Sequence, residues 1–148
     1  MAKRTKCNNK MLSSQRIQAI RKVSNPNTSL KNNKEVIDFL SLYIDCEVVA
    51  RKYVDFYNSD RKKGTRDNML RYDNIIKSQK FFGIKITDEL VKSIFSSKPE
   101  KRGNKSPRQL RNGIVHANSS GDIKEVKKSS KKLLKLMNEW YDVSTDID

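Results

Sequence analysis

The sequence predicts an all-α fold, a mainly antiparallel bundle of four to six helices. Three observations lead to this prediction. Apolar residues recur at steps of three and four from Asn33 to Asn58, which is the period of an amphipathic helix. The same period returns from about Asp122 to Asp142, and residues that start or end helices separate the periodic stretches. With 148 residues, the chain is long enough for one such core and too short for two.

The N-terminal part is expected to differ from the bundle. Residues 1–10 are basic and rich in amides without periodicity, which predicts a flexible arm in front of a single domain at 11–148. A short helix is expected over Ser13–Val23, and Pro26 falls in the break that follows it. The long helix after this break would form the centre of the bundle.

Two further helices are expected in the middle of the chain. Arg66–Gln79 carries apolar residues at helical spacing. The segment Phe81–Ile86 looks briefly like a strand, but a lone strand has no partner, so we expect an extended connection. Thr87 then caps a short helix that ends before Pro99, and a basic loop follows at 96–105.

The single histidine of the chain, His116, lies on another predicted helix. Ser106 and Pro107 are typical of an N-cap and a first helical position, because proline lacks the N–H that would find no intrahelical acceptor there. On this helix Arg108, Asn112 and His116 follow at steps of four and form one polar stripe.

Arg111 stands apart from that stripe. In a regular helix its direction differs from that of His116 by ~140°. The two side chains are therefore expected to meet only at the rim of a cleft, through a distorted turn at Gly113, or across a dimer.

The spacing Arg111-x-x-x-x-His116, with the amide Asn112 beside the arginine, resembles the signature of the HEPN superfamily. Its members are small helical bundles, and many are ribonucleases of toxin-antitoxin, CRISPR and phage-defence systems. The resemblance consists of the motif and the helix pattern over about 29–148. It implies that Arg111, Asn112 and His116 are catalytic, and that Glu47 on the long helix orients Arg111 or His116.

The residues alone leave a simpler interpretation open. A histidine near a helix end is often a capping or surface residue, and arginine with asparagine often solvates a helix start. Glu47 and Arg51 are four residues apart, a spacing typical of a surface ion pair worth a few tenths of a kcal/mol.

The charge of the chain indicates a polyanionic partner. Its 32 Lys and Arg residues against 17 Asp and Glu give a net charge of +15, which favours nucleic acid over a membrane surface. A compositional bias towards lysine is the alternative explanation of the lysine count. The basic loop, the polar stripe and one face of the last helix supply the candidate RNA contacts Lys98, Lys101, Arg102, Lys105, Arg108, Lys124, Lys127, Lys128, Lys131 and Lys132.

Several classes of site are not expected. Cys7 and Cys46 have no motif spacing and are expected to be free thiols of a reducing compartment. One histidine without a Cys-x-x-Cys motif disfavours a zinc site, so no metal or cofactor is expected. No apolar run approaches membrane-spanning length and the N-terminus lacks a secretory pattern, which predicts a cytoplasmic protein.

These patterns lead to one functional hypothesis with two rivals. The resemblance implies a metal-independent endoribonuclease of a toxin-antitoxin or phage-defence system that cleaves RNA by attack of the 2'-hydroxyl. With one histidine per chain, a homodimer with a composite active site would fill both proton-transfer roles most easily. The rivals are a non-catalytic basic bundle that binds nucleic acid, and an antitoxin-like or ribonucleoprotein subunit whose basic faces meet an acidic protein. For the ribonuclease, the expected protein partner is an antitoxin or another defence-system protein.

Overall fold

A computed structural model describes residues 14–16, 18, 33–60, 70–98 and 104–146. The chain divides into two compact units, Met1–Lys34 and Glu35–Asp148. In the first unit the described residues 14–16 and 18 are helical, as predicted for Ser13–Val23. The predicted arm and its boundary at residue 10 lie outside the described residues.

The described residues from 33 onward are mainly helical and contain no strand, which confirms the all-α class. None of their helices is both long enough and apolar enough to cross a membrane. The five helices are α1 Lys34–Asp60, α2 Tyr72–Phe81, α3 Asp88–Phe95, α4 Pro107–Ala117 and α5 Ser120–Thr145.

The ends of α2 and α3 follow local backbone chemistry. Helix α2 begins at Tyr72 rather than at Arg66, because Leu70 and Arg71 are not helical. The helix ends at Phe81, and the turn after it contains Gly83. The φ of 75° at Gly83 is a left-handed conformation that glycine adopts without strain. The expected extended connection follows, and the Thr87 hydroxyl caps α3 by accepting a hydrogen bond from Leu90 N at 3.3 Å, as predicted.

Trp140 of α5 is the largest fully buried side chain of the core. Its ring meets Phe95 of α3 edge to face, with the centroids 5.0 Å apart. Phe95 also contacts Tyr43 of α1, at 6.2 Å between centroids. Aromatic packing thus joins three helices that are distant in sequence.

A buried polar network lies beside this aromatic cluster. Trp140 Nε1 donates to Gln79 Oε1 at 3.1 Å, and Gln79 Nε2 donates to Ser144 Oγ at 2.8 Å. The hydroxyl of Tyr53 donates to the backbone carbonyl of Ser144. Because all four residues are buried, each bond satisfies a group that has little access to water.

Helix α1 does not bury all of its recurring apolar residues. Ile37, Ile44 and Val48 are 41%, 49% and 52% exposed, whereas Phe39 and Cys46 are fully buried. The recurring apolar set therefore extends beyond the buried face of the helix at these three positions. Cys46 is a free thiol, as expected, and burial raises its pKa to about 12, so it remains protonated at neutral pH and is a poor nucleophile.

Candidate functional site

Both ends of α4 are fixed by local hydrogen bonds. Ser106 Oγ accepts from Gln109 N at 3.2 Å, and Ser106 N donates to Gln109 Oε1 at 2.9 Å, which completes a capping box in front of Pro107. At the other end Asn118 takes a left-handed conformation with φ of 47° and terminates the helix. The predicted start is confirmed, and the helix holds Arg111 and His116 on one rigid element.

Arg111 and His116 are in contact within one chain. Arg111 Nη1 lies 3.4 Å from His116 Nε2 and donates to Asn112 Oδ1 at 2.9 Å. The helix is uninterrupted between them, so the contact needs neither a distorted turn at Gly113 nor a second chain. The long arginine side chain spans the ~140° that separates the two directions. The exposed surface of α4 therefore presents a guanidinium, an imidazole and an amide together.

The guanidinium of Arg111 lies between the core and the surface. Its Nε is buried and has no hydrogen-bond partner among the described residues. Burial raises the pKa of the Tyr43 hydroxyl, the carboxylate of Glu47 raises it further, and the charges of Arg108 and Arg111 oppose that rise. Two arginines and one carboxylate therefore act electrostatically on the same buried tyrosine.

Glu47 forms an ion pair with Arg51. Its Oε1 lies 3.0 Å from Arg51 Nη2, and the two side chains are 18% and 54% exposed. This is the i, i+4 pair that the simpler interpretation expected. Glu47 and Arg111 shift the pKa of the Tyr43 hydroxyl in opposite directions. An orienting contact from Glu47 to Arg111 or His116 remains a prediction.

A buried carboxylate behind α4 explains the glycine of the motif. Asp122 of α5 is buried, and its Oδ1 lies 2.7 Å from Lys105 Nζ. A Cβ atom added at Gly113 would lie 1.8 Å from Asp122 Oδ2 and 2.9 Å from its Cγ. A side chain at position 113 would therefore require Asp122 to move. Lys105, predicted to contact RNA, therefore holds a structural ion pair, which the sequence did not indicate.

Gly113→Ala is expected to destabilise the protein by about 1–3 kcal/mol. The clash with Asp122 outweighs the ~1 kcal/mol by which alanine favours a helix over glycine. Chemical denaturation measures the difference. Gly121→Ala is the matched control, because a Cβ there meets only Ser119 Oγ at 3.9 Å. An unchanged or raised stability of Gly113→Ala would show that Asp122 moves away at little cost.

Arg108, another predicted RNA contact, is half-buried and fixed to the backbone. Its Nη1 donates to the carbonyl of Leu70 and, at 3.3 Å, to that of Phe95. The guanidinium thus joins the residues before α2 to the end of α3. Its first role is structural, although it also lines a groove on the surface.

A cavity of about 370 Å³ gathers cations from α3, α5 and the residues before α4. Leu110, Leu133 and Leu136 supply apolar lining, and Glu125 is the one acid among the described lining residues. Four of its lysines were predicted as RNA contacts, whereas Lys92 was missed because its cavity neighbours come from distant parts of the chain. The cavity lysines are Lys92, Lys98, Lys105, Lys128 and Lys132.

The remaining predicted contacts divide into two groups. Lys127 and Lys131 line a shallower groove beside the cavity, and Lys124 is exposed on the same helix. Lys101 and Arg102 lie outside the described residues.

Helix α5 is interrupted at Ser129. This residue has φ of −106° and ψ of 15°, its hydroxyl donates to Glu125 Oε1 at 3.0 Å, and it lines the cavity. The sequence predicted a helix from about Asp122 to near Asp142 and gave no sign of the interruption. The helix instead begins at Ser120, because Ser119 caps it by accepting a hydrogen bond from Asp122 N at 3.2 Å. It ends at Thr145.

Comparison with known proteins returned no relative. The chain matches no family model, no curated protein and no solved structure.

Proposed function

We propose that the chain is a metal-independent endoribonuclease of the HEPN type, acting in a toxin-antitoxin or phage-defence system. The observation that carries the proposal is the 3.4 Å contact between Arg111 and His116 on the exposed surface of α4. A fixed cation beside an imidazole is the pair that phosphodiester cleavage requires, because one group neutralises the phosphate and the other moves protons.

The proposed reaction uses the 2'-hydroxyl of RNA as nucleophile. The 2'-oxygen attacks the adjacent phosphorus, the bond from phosphorus to the 5'-oxygen breaks, and a 2',3'-cyclic phosphate and a 5'-hydroxyl result. His116 accepts the proton of the 2'-hydroxyl or donates a proton to the leaving 5'-oxygen. Arg111 stabilises the charge on the phosphate, and Asn112 holds the guanidinium through its hydrogen bond.

The reaction needs one group that accepts a proton from the 2'-hydroxyl and another that donates a proton to the 5'-oxygen. Each chain has one histidine. A second copy of α4 facing the first would bring two imidazoles and two guanidiniums to one phosphate. The proposed active form is therefore a homodimer in which residues 106–118 take part in the interface.

Incubation of purified protein with structured and total RNA in EDTA tests the proposal. The expected products end in 2',3'-cyclic phosphate and 5'-hydroxyl, and a single 2'-deoxy substitution at the cleaved position blocks the reaction. Cleavage that stops in EDTA, or products with 3'-hydroxyl and 5'-phosphate ends, would contradict this mechanism.

A second candidate function is supported by the cavity lysines and the net charge of +15. In this alternative the chain binds nucleic acid without cleaving it, and its cations act by releasing counterions from the phosphate backbone. RNA that is bound tightly yet stays intact in the EDTA assay would favour this function over the first.

Changing four lysines of α5 to Gln together is expected to weaken RNA binding. Each lost phosphate contact lowers the log-log slope of affinity against salt by about 0.7 for single strands. The loss should be the same for different RNA sequences, because phosphate contacts carry no base information. Fluorescence anisotropy over a salt series measures affinity and slope. The changed residues are Lys127, Lys128, Lys131 and Lys132.

A matched variant removes the same amount of charge elsewhere. Its four lysines are exposed and contribute to none of the lysine-lined cavities described above. If both variants lose affinity equally, the effect reflects net charge rather than this face of α5. Unaltered affinity in the α5 variant would mean that its lysines are a solvated face. The control changes to Gln are at Lys34, Lys52, Lys77 and Lys85.

A further inference from the structure

A second groove lies on the other side of Lys98. Its volume is about 800 Å³, and the elements that line it are α1, the start of α2, the segment after α3 and the start of α4. Among the described residues, four cations line it against one acid, Asp73. These cations are Arg51, Arg71, Lys98 and Arg108.

The four cations differ in what already holds them. Arg108 is bound to backbone carbonyls and forms a fixed wall, and Arg51 is paired with Glu47. Arg71 is the exposed N-cap residue of α2, and its side chain makes no capping hydrogen bond. Lys98 is exposed and lines both this groove and the cavity that contains the cavity lysines Lys92 and Lys128. Arg71 and Lys98 are thus placed to meet an anion that enters the groove.

An aromatic ring lies among these cations. Tyr72 is half-buried and lines the groove, and Lys92 Nζ lies 5.6 Å from its ring centroid. The core rings Tyr43, Phe95 and Trp140 pack against one another. A tyrosine that lines a cationic groove is instead suited to stacking with an unpaired nucleobase on the ring face that Lys92 does not cover, while the cations follow the backbone phosphates.

The groove is connected to both parts of the proposed function. Lys98 belongs to the groove and to the lysine cavity, so the two cationic surfaces join at this residue. Arg108 lines the groove one helical turn before Arg111 of the candidate site. A strand lying in the groove would therefore pass about one turn of α4 from Arg111, whose guanidinium contacts His116.

We infer that this groove binds an unpaired nucleotide of a single-stranded RNA near the Arg111/His116 pair, with its base stacked on Tyr72 and its phosphates against Arg71 and Lys98. The inference rests on the proposed function for the identity of the ligand as RNA. It adds that a base on Tyr72 makes the protein prefer single strands to duplexes.

The test is binding of a fluorescent 2'-O-methyl RNA, which cannot undergo 2'-hydroxyl attack, as a single strand and as a duplex. Tyr72→Leu removes the aromatic face at similar size and should weaken single-strand binding about tenfold to a hundredfold, with duplex binding unchanged. Tyr72→Phe should restore wild-type affinity. Arg71→Gln should weaken binding and lower its salt dependence. Phe56→Ala, at a 60% exposed aromatic residue outside the groove, should have no effect.

Each outcome bears on a separate claim. Wild-type affinity in Tyr72→Leu, an equal loss for duplex and single strand, or no RNA binding at all would overturn the groove. Loss of binding in Tyr72→Phe as well as in Tyr72→Leu would overturn stacking. Binding that depends on Tyr72, without cleavage of ordinary RNA, would support the groove and contradict the ribonuclease function. Cleavage together with binding that does not depend on Tyr72 would support the ribonuclease function and contradict the groove.

Discussion

His116→Ala is expected to reduce RNA cleavage by about a hundredfold or more, the usual effect of removing a group that transfers a proton. The imidazole is exposed at the end of α4, so its loss leaves the core untouched. Circular dichroism and the melting temperature should stay close to those of the unchanged chain. RNA affinity and its salt dependence should also persist, because the lysines proposed to contact the phosphates stay in place.

Two variants complete this experiment. Arg111→Ala should abolish cleavage as well, since it removes the cation that contacts His116. Val143→Ala, an exposed apolar position near the end of α5 and outside residues 106–118, should cleave at the wild-type rate. Cleavage that survives both His116→Ala and Arg111→Ala would exclude this site. Sedimentation of the active sample tests whether a second copy of the chain supplies the second proton-transferring group. A fully active monomer would exclude a composite site.

Trp140→Ala is expected to cost about 3–5 kcal/mol of unfolding free energy. It empties the largest fully buried position and removes the edge-to-face contact with Phe95. It also leaves Gln79 Oε1 without its indole donor. Since small domains unfold with only about 5–15 kcal/mol, the variant should unfold at a much lower denaturant concentration.

Trp140→Phe separates the two contributions. It keeps an aromatic ring and loses the N–H, so its cost should be nearer to the 1–3 kcal/mol of one unsatisfied buried group. Glu139→Ala changes the exposed neighbour and should lie within about 0.5 kcal/mol of the unchanged protein. A loss below 1 kcal/mol in Trp140→Ala would contradict the central place given to this ring.

Local chemistry made part of the fold predictable. The starts of α3 and α4 depend on Thr87, Ser106 and Pro107, and capping acts within one turn of the helix. Periodicity similarly predicted α1 as a helix, but it did not predict that Ile37 and Val48 would be exposed. Which side of a long helix is covered depends on neighbours from other parts of the chain.

The candidate site was predictable as a set of residue types and not as a geometry. The spacing of Arg111 and His116 suggested separated side chains, because it gives the angle between two residues around the helix axis and takes no account of the length of an arginine side chain. The contact of Asp122 with Gly113 and Lys105 joins separate segments, so no spacing rule contains it. Tyr72 and Lys92 meet for the same reason, through packing of α2 and α3.

The break at Ser129 has a mechanical consequence. It divides α5 into two rods, the first carrying Lys127 and Lys128 and the second carrying Lys131 and Lys132. The second rod is anchored by Trp140 in the core. The spacing between the two pairs of cations therefore depends on the torsion angles of one residue. In the proposed RNA complex, substitutions at Ser129 would change how these lysines fit a phosphate chain without altering the aromatic core.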